Sequence, residues 1–270
     1  LTGRSGCGKS TLFRCINGLC PRFFEGEKKG NIYLNGKEST SLRICDISRL
    51  VASVFQNPES QFFTADVLSD LVYACENYGV PKGEIAMRLN RIASMLSLSP
   101  LIGKKISELS GGEKQKVAIA STLMLNADVL LLDEPSSNLD YQSIALLKAT
   151  LAELKSKGYT IIVIEHRLYY LADICDRLIV FECGKMSRIY EGVTLKAASN
   201  DELHLQGLRG LHLFQNTTRN SSTERGSNPL LILDNLFFGY EKNTNILKGI
   251  SFSVYPGDRI ALIGKNGCGK

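Results

Sequence analysis

The sequence has no apolar run long enough to cross a lipid bilayer as a helix. Such a helix needs about 20 apolar residues, whereas apolar runs such as Val129 to Leu132 and Ile161 to Ile164 have the length of a strand. A basic start followed by an apolar stretch, which marks a secretory signal peptide, is also missing. We therefore expect a chain that does not cross a membrane by itself.

Clusters of like charge are missing as well. The net charge is +5, from 32 Lys and Arg against 27 Asp and Glu, and the basic residues are spread along the chain without forming a basic arm. Nucleic-acid-binding proteins concentrate basic residues on one face or arm. No nucleic acid is therefore expected as a partner.

Cysteine motifs are also lacking. The eight cysteines form no CxxC pair and show no ligand spacing with the three histidines, which excludes the common zinc patterns and favours reduced thiols in a cytosolic protein.

The chain has enough apolar residues to form a hydrophobic core. Its 270 residues, 44% of them hydrophobic and 22% charged, predict one large folded domain or two ordinary ones.

A repeat at long range is the main sign of domain organisation. LTGRSGCGK at residues 1–9 and LIGKNGCGK at residues 262–270 agree at six of nine positions, and this spacing predicts tandem homologous domains. Since both copies are cut, we expect a fragment of a longer protein. The predicted divisions are a first domain at 1–195, a linker at 196–229 that is flexible at its polar part 216–228, and a truncated second domain at 230–270.

The apolar spacing alternates between helix and strand signatures. Residues 128–133 and 159–165 are apolar without polar alternation, which is typical of central strands in a parallel sheet. Residues 30–38, around Asn35 and Gly36, indicate an antiparallel hairpin. The alternation predicts an α/β fold. Helical spacing is found at Leu12, Ile16 and Leu19, at Ile85, Leu89, Ile92 and Leu96, and at Ile144, Leu147, Leu151 and Leu154.

A glycine-rich segment near the start fits a phosphate-binding loop. Residues 3–10, GRSGCGKS, match GxxxxGK[ST] and precede an amphipathic helix. Glycines in this pattern let backbone N–H groups wrap phosphate oxygens, while Lys9 reaches the terminal phosphates and the Ser10 hydroxyl ligates Mg²⁺. Chance produces the pattern in roughly one of a hundred chains of this length. Other segments of the sequence must therefore show whether this match is a phosphate-binding loop or a chance occurrence.

Two acids follow an apolar strand in VLLLDEPSSNLD, residues 129–140. Open parallel sheets bind ligands at the carboxyl ends of their strands. We therefore expect Asp133 to hold the magnesium shell and Glu134 to polarise a water for attack on the γ-phosphorus. The alternative is that these acids cap the helix at Ser143.

Two further segments point to the same kind of site. LSGGEKQKVAIAS places Ser110, Gly111 and Gly112 at the start of a helix, where free N–H groups and the helix dipole favour phosphate. An ordinary serine cap with a glycine turn is the alternative. The strand IIVIE then delivers His166 to the same sheet edge, as either a structural or a functional histidine.

Taken in order, GRSGCGKST, VFQNPESQFF, LSGGEKQ, VLLLDEPSSNLD and IIVIEHRL resemble the nucleotide-binding subunit of ABC transporters. The resemblance covers residues 1–195 and begins again at residue 230. It implies a P-loop NTPase with a RecA-like, mainly parallel sheet, a helical subdomain near residues 57–109 and a small antiparallel β layer. Ser136 and Lys116 depart from the Thr and Arg that are common in the family, without touching the expected chemistry.

The resemblance also implies how ATP and Mg²⁺ are held. Two such domains form a head-to-tail dimer in this family, and each ATP lies between the phosphate loop of one domain and the LSGGE helix of the other. The residues implied to serve the ATP of this domain are Gly3, Ser5, Gly6, Cys7, Gly8, Lys9, Ser10, Thr11, Gln56, Asp133, Glu134 and His166. The implied metal ligands are Ser10, Gln56 and Asp133, and the implied catalytic residues are Glu134, His166 and Gln56. The residues implied to serve the ATP of the partner domain are Ser110, Gly111, Gly112 and Glu113, with Asp140 in the loop that links the two sites.

Residues 230–270 resemble the start of a second domain of this kind. Tyr240 stands where the family stacks an aromatic ring on adenine, and the chain ends before the Ser or Thr of the second phosphate loop, so we expect that loop to bind phosphate poorly. We also expect residues 230–263 to fold back beside the sheet that contains Val129 to Leu132. The nucleotide-binding residues implied in the second loop are Gly264, Asn266, Gly267, Gly269 and Lys270.

Within the family, the resemblance is to the fused ATPase of energy-coupling factor importers, which take up vitamins or transition-metal ions. It implies a peripheral subunit at the cytoplasmic face of the cell membrane, with a second ABC ATPase domain and integral membrane subunits as partners, the latter docking near Gln56. Two alternatives stay open: a soluble ABC ATPase that acts on ribosomes or DNA, and a fragment that binds nucleotide without turnover. The linker disfavours the soluble ATPase, because such proteins carry long charged or coiled-coil connectors.

Overall fold

The computed structural model describes residues 1–205, 207–211, 228–239, 246–258 and 260. It divides into two compact units, Leu1–Leu213 and Phe214–Lys270. Among the sequence predictions, Tyr240, most of the polar linker and the second phosphate loop lie outside the described residues.

Helices and strands alternate through the first unit, as the apolar spacing predicts. The described α-helices are α1 (Lys9–Ile16), α2 (Ile44–Leu50), α3 (Val67–Asn77), α4 (Lys82–Met95), α5 (Gly111–Leu123), α6 (Tyr141–Ser156), α7 (Gly192–Ala197) and α8 (Asn200–Leu205). The described strands are β1 (Thr2–Gly3), β2 (Tyr33–Leu34), β3 (Lys37–Glu38), β4 (Val51–Val54), β5 (Val129–Asp133), β6 (Thr160–Ile164), β7 (Arg177–Glu182), β8 (Lys185–Glu191), β9 (Leu231–Phe238) and β10 (Leu247–Val254). Short 3-10 helices lie at Ser39–Ser41, Pro58–Gln61 and Ile106–Glu108.

A parallel sheet in the order β4-β5-β6 forms the centre of the first unit. Leu130 and Leu132 are fully buried in the cluster that contains the apolar faces of α3, α5 and α6, and Leu131 packs on the opposite face with Phe13 of α1. Successive side chains of a strand point to opposite faces, so a strand covered on both sides is apolar throughout. The α/β prediction and the central position of β5 are confirmed.

The prediction that β6 is a central strand is confirmed in position, but its side chains are less covered than expected. β6 pairs with β5 on one side, and on the other side its Val163 carbonyl accepts from the Leu1 ammonium at 2.6 Å. Its side chains pack on apolar clusters at both faces, although most are only partly buried. An apolar run shows that a strand packs on a core, but it does not show how completely each side chain is covered.

A second sheet leads the chain into the phosphate loop. β1 pairs in parallel with β7, with Thr2 opposite Val180 and Gly3 opposite Phe181, and β7 pairs antiparallel with β8. The Glu165 amide, just after β6, donates to the Leu1 carbonyl at 3.0 Å. The entry to the loop is therefore held between β6 and β7.

The helical predictions hold with one correction. Leu19 lies beyond the end of α1, because the helix terminates at Ile16 and is followed by Asn17 and by Gly18, which has a φ of 78°. Glycine adopts this left-handed conformation without steric cost. The face predicted for residues 144–154 is confirmed, since its four apolar side chains are all buried in α6.

The hairpin predicted around Asn35 is confirmed. β2 and β3 pair antiparallel, and the two residues between them, Asn35 and Gly36, have φ values of 47° and 76°. Two positive φ angles match the twist of a tight hairpin turn, which explains the Asn-Gly pair. The hairpin is the small antiparallel layer expected from the sequence.

The first unit continues past residue 195. Leu203 in α8, Leu208 and Leu211 are buried in one cluster with Leu178 and Val180 of β7. This part of the expected linker therefore adds apolar packing to the second sheet.

The second unit contains one described sheet, in which β9 and β10 pair antiparallel. The sheet that contains Val129 to Leu132 has three strands, all from the first unit. The described strands of the second unit pair with each other, and the expected fold-back of residues 230–263 beside that sheet stays a prediction. A hairpin satisfies the strand hydrogen bonds locally, without closing a long loop.

In the described residues, no helix has both the length and the apolar character that a membrane span requires.

Candidate functional site

The phosphate loop is a tight turn between β1 and α1. Gly6 and Gly8 have φ values of 79° and 100°, in the region where residues with a side chain are disfavoured. A Cβ on Gly3 would lie 2.3 Å from the Phe181 carbonyl oxygen. Ser5 and Thr11 are exposed and Cys7 is buried. The glycines are therefore required by backbone conformation and by close packing on β7.

The Lys9 side chain points into this loop and bonds to its backbone. Lys9 begins α1, is buried, and its Nζ donates to the carbonyl oxygens of Gly3 at 2.9 Å and Arg4 at 3.0 Å. The Cys7 Sγ lies 3.6 Å from the same nitrogen. A buried ammonium needs such acceptors. The loop thus holds a positive charge among backbone groups at the start of a helix, where anions are favoured.

Ser10 and Asp133 meet across 123 residues of sequence. Asp133 ends β5, and its Oδ1 lies 3.4 Å from the Ser10 Oγ in the first turn of α1. A hydroxyl and a carboxylate are hard oxygen donors of the kind that Mg²⁺ prefers. The predicted proximity of the phosphate loop to the carboxyl edge of the sheet is therefore found.

Burial raises the pKa of Asp133 above its usual range, against a smaller opposing effect of the Ser10 hydroxyl. A carboxyl group with a raised folded pKa contributes stability below its unfolded pKa, and this contribution is lost as the pH rises through the folded pKa. We therefore expect Asp133→Asn to raise the melting temperature near pH 7 and to change it little near pH 3, where the carboxyl is protonated in both states. Thermal melts without nucleotide or Mg²⁺ measure this difference, and a lower melting temperature of the variant near pH 7 would contradict it.

Glu134 joins two other predicted residues. Its Oε2 accepts a hydrogen bond from the Gln56 Nε2 at 3.1 Å, and its Oε1 lies 3.1 Å from the His166 Nε2. Gln56 follows β4 and His166 follows β6, so adjacent strands of one sheet deliver all three side chains. Glu134 has a φ of 45°, an uncommon conformation for a residue with a long side chain. Its amide is fixed by the Ile164 carbonyl at 2.8 Å.

The capping alternative for the two acids is wrong. Asp140 caps α6, because its Oδ1 accepts from the Ser143 amide at 2.8 Å. Asp133 and Glu134 instead turn their carboxylates toward Ser10, Gln56 and His166. Asp140 thus has a structural role at the start of the helix, at the end of the loop that follows Glu134.

The LSGGE segment has the capping geometry expected of a serine cap. Ser110 Oγ accepts from the Glu113 amide at 3.3 Å, and the Ser110 amide donates to the Glu113 carboxylate at 2.8 Å. That amide lowers the pKa of Glu113. A Cβ on Gly112 would come within 2.9 Å of Ser143 in α6, so this glycine is required by helix packing. The segment makes these contacts with its own turn and with α6, and the phosphate-loop contacts above do not involve it.

Three residues of the site carry no prediction from the sequence. Glu165, Arg167 and Tyr170 surround His166, and Glu165 and Tyr170 are each 2% exposed. An acid directly after the strand IIVI was the available signal, because it interrupts an apolar run at the edge where the other site residues lie.

Comparison with known proteins gives consistent matches. The family model described as ABC transporter matches residues 1–137. An ABC transporter ATP-binding protein of Treponema denticola is 65% identical over 273 residues, which cover 100% of this chain and 56% of that protein. A second such protein of the same bacterium is 41% identical over 277 residues, with the same two coverages. The chain thus spans about half the length of these curated relatives.

A solved structure gives the corresponding match in three dimensions. The structure of cbiO1 from Clostridium perfringens, described as part of the ABC transporter complex cbiONQ, is similar with a TM-score of 0.63 and 30% sequence identity. The match covers 70% of this chain and 75% of that one.

Proposed function

Because this chain belongs to the ABC transporter family, we propose that it is part of an ATP-binding and ATP-hydrolysing subunit that powers solute import. The observation that carries the proposal is the convergence on one sheet edge of the Lys9 ammonium, the Ser10–Asp133 pair and the Glu134 carboxylate. A phosphate-binding cation, a hard oxygen pair and a carboxylate are the groups that hydrolysis of a nucleoside triphosphate requires.

The residues at the phosphate loop suit ATP and Mg²⁺. Lys9 would donate to the terminal phosphates, and the loop amides between Gly3 and Lys9 would donate to the remaining phosphate oxygens. Ser10, Asp133 and Gln56 would hold the metal, which neutralises phosphate charge when bound.

The proposed hydrolytic group is Glu134. Its carboxylate would accept a proton from, or orient, the attacking water, while Gln56 and His166 hold that carboxylate from two sides at 3.1 Å each. Catalysis of this kind depends on position, since misplacement by about 1 Å can cost about 10²-fold in rate. Adjacent strand ends provide the rigid support.

The second half of each ATP site would come from another ABC ATPase domain. The residues Ser110, Gly111, Gly112 and Glu113 lie at the start of α5, where helix N–H groups favour phosphate, and they would act on the partner domain's ATP. Asp140, at the start of α6, would lie in the loop between the two sites. One copy alone would not complete a site.

Exposed aromatic side chains close in sequence to Gln56 support a membrane partner. Phe55 is 38% exposed, and Phe63, which stacks on Tyr73 with ring centroids 5.0 Å apart, is 71% exposed. Exposed apolar groups of this size favour a protein interface. We propose that integral membrane subunits of an energy-coupling factor importer dock there, at the cytoplasmic face. The similarity to cbiO1, a part of a transporter complex, supports this assignment.

The ATPase rate of the full-length protein tests the proposal. We expect it to rise when the protein is reconstituted in lipid vesicles with the membrane subunits encoded beside its gene, and not to respond to ribosomes or DNA. Stimulation by ribosomes or DNA, with no response to membrane subunits, would replace the importer by a soluble ATPase. Nucleotide binding without hydrolysis under every condition would reduce the function to binding.

A further inference from the structure

A buried carboxylate lies directly behind His166. Glu165 is 2% exposed, and its Oε1 accepts hydrogen bonds from the amides of His166 at 2.7 Å and Arg167 at 3.0 Å. Its Oε2 accepts from the Tyr170 hydroxyl at 2.9 Å. Burying a carboxylate is costly unless hydrogen bonds compensate. Here two amides and a hydroxyl supply them, so the carboxylate fixes the path of the backbone from 165 to 167.

The Tyr170 hydroxyl is a constant hydrogen-bond donor to Glu165. Burial, reinforced by the Glu165 carboxylate, raises the pKa of Tyr170 well above its usual range. The phenol therefore keeps its proton at physiological pH and remains a donor to Glu165. Its ring is 2% exposed and packs in the core cluster, which anchors the turn to the body of the first unit.

The two residues held by Glu165 reach different parts of the site. His166 extends to Glu134, with 3.1 Å between Nε2 and Oε1. The Arg167 Nη1 donates to the carbonyl oxygens of Ser136 at 3.1 Å and Leu139 at 3.4 Å. These carbonyls belong to the loop that runs from Glu134 to the cap of α6. One turn thus fixes both the carboxylate and the loop that follows it.

We propose that Glu165 and Tyr170 are positioning residues, which hold His166 on Glu134 and Arg167 on the 136–139 loop as one rigid unit. The proposal rests on the hydrolytic role proposed for Glu134. It assigns no contact with nucleotide to Glu165, Tyr170 or Arg167. It adds that the position of the catalytic carboxylate and the conformation of the 136–139 loop change together, because the same buried carboxylate supports both.

Amide hydrogen exchange tests the backbone part of this proposal without any activity. In Glu165→Ala, the amides of His166 and Arg167 lose their acceptor, and we expect their exchange to accelerate at least about tenfold, whereas β5 and α6 keep their protection. Glu165→Gln retains an oxygen that accepts both amides and should restore most of the protection. The control is Tyr169→Phe, which removes a hydroxyl from the neighbouring tyrosine and keeps the ring that packs edge-on against Tyr170. Unchanged exchange at 166 and 167 in Glu165→Ala would overturn the proposal.

Kinetics of the full-length protein test the functional part. We expect Glu165→Ala to lower kcat about 10- to 100-fold with little change in the Kd of Mg–ATP, since a misplaced catalytic group affects turnover more than binding. We expect Glu165→Gln to recover most of kcat and Tyr170→Phe to lose a smaller part. A purely structural role would instead lower thermal stability and leave kcat of the folded enzyme unchanged, and that result would overturn the proposal.

A second variant keeps the test decisive if Glu165→Ala fails to fold. Arg167→Ala removes a partly buried guanidinium, and we expect faster exchange in residues 136–139 together with a lower kcat. Normal exchange in that loop would overturn the coupling. If the wild-type protein hydrolyses no ATP, the proposed function fails, while the exchange comparisons still decide whether Glu165 holds the turn.

Discussion

Replacing Glu134 by Gln is expected to lower kcat for ATP hydrolysis in the full-length protein by about 10²- to 10⁴-fold, the range that general base catalysis contributes. The amide is nearly isosteric with the carboxylate, so the side chain keeps its place between Gln56 and His166. It cannot accept a proton from water. The Kd of Mg–ATP should stay within severalfold of wild type, because Lys9 and the phosphate loop are unchanged.

Steady-state ATPase rates and equilibrium nucleotide binding measure this split between turnover and affinity. Glu182→Gln is a matched control, since it makes the same chemical change at an exposed residue that ends β7. Wild-type turnover in Glu134→Gln would remove Glu134 from its proposed role. Equal loss in the control variant would point to a nonspecific effect.

Replacing Lys9 by Met is expected to weaken Mg–ATP binding at least about 100-fold. The ammonium is the buried cation of the phosphate loop and would donate to the terminal phosphates. Hydrogen bonds from a charged group contribute about 1.5–3 kcal/mol each, so the loss of two such bonds to phosphate predicts a loss of affinity of this size. Met fills a similar volume, and its apolar end leaves the Gly3 and Arg4 carbonyls without the donor they have now. We therefore also expect a moderately lower melting temperature.

Isothermal titration with Mg–ATP measures the first effect, and a thermal melt separates it from unfolding. Lys37→Met is the control, because Lys37 is exposed in the β2–β3 hairpin. Retained affinity in folded Lys9→Met would contradict the assignment of residues 3–10 as the phosphate site.

Local sequence patterns predicted the elements in which the residue types follow from a single requirement, such as burial of a face or a backbone conformation. β5 is apolar because both of its faces are buried, and α6 has its apolar residues on a single face. The phosphate loop could be identified because its glycines and Lys9 are required by backbone conformation and charge. Because the acid pair and His166 each follow an apolar strand, the sequence also predicted that their side chains lie at the same edge of the sheet, as the structure shows.

The remaining features depend on backbone conformation and side-chain placement that the residue pattern does not specify. The spacing around Leu19 suggests a continuing helix, but a left-handed glycine ends it. The cap of α6 is a local contact between Asp140 and the Ser143 amide three residues later, whereas the placement of Asp133 beside Ser10 depends on the tertiary fold. Glu165 is a single acid after a strand, and its role depends on Tyr170 and on amides that face it in three dimensions.

The structure of the full-length Glu134→Gln protein with Mg–ATP shows, through the distances from the Lys9 Nζ, whether residues 3–10 bind the nucleotide. We predict that this nitrogen leaves the carbonyls of Gly3 and Arg4, now at 2.9 and 3.0 Å, and donates to the terminal phosphates, with Ser10 at the metal and residue 134 facing the γ-phosphate. Nucleotide bound away from residues 3–10, or Lys9 still bonded to the two carbonyls beside a bound triphosphate, would contradict it.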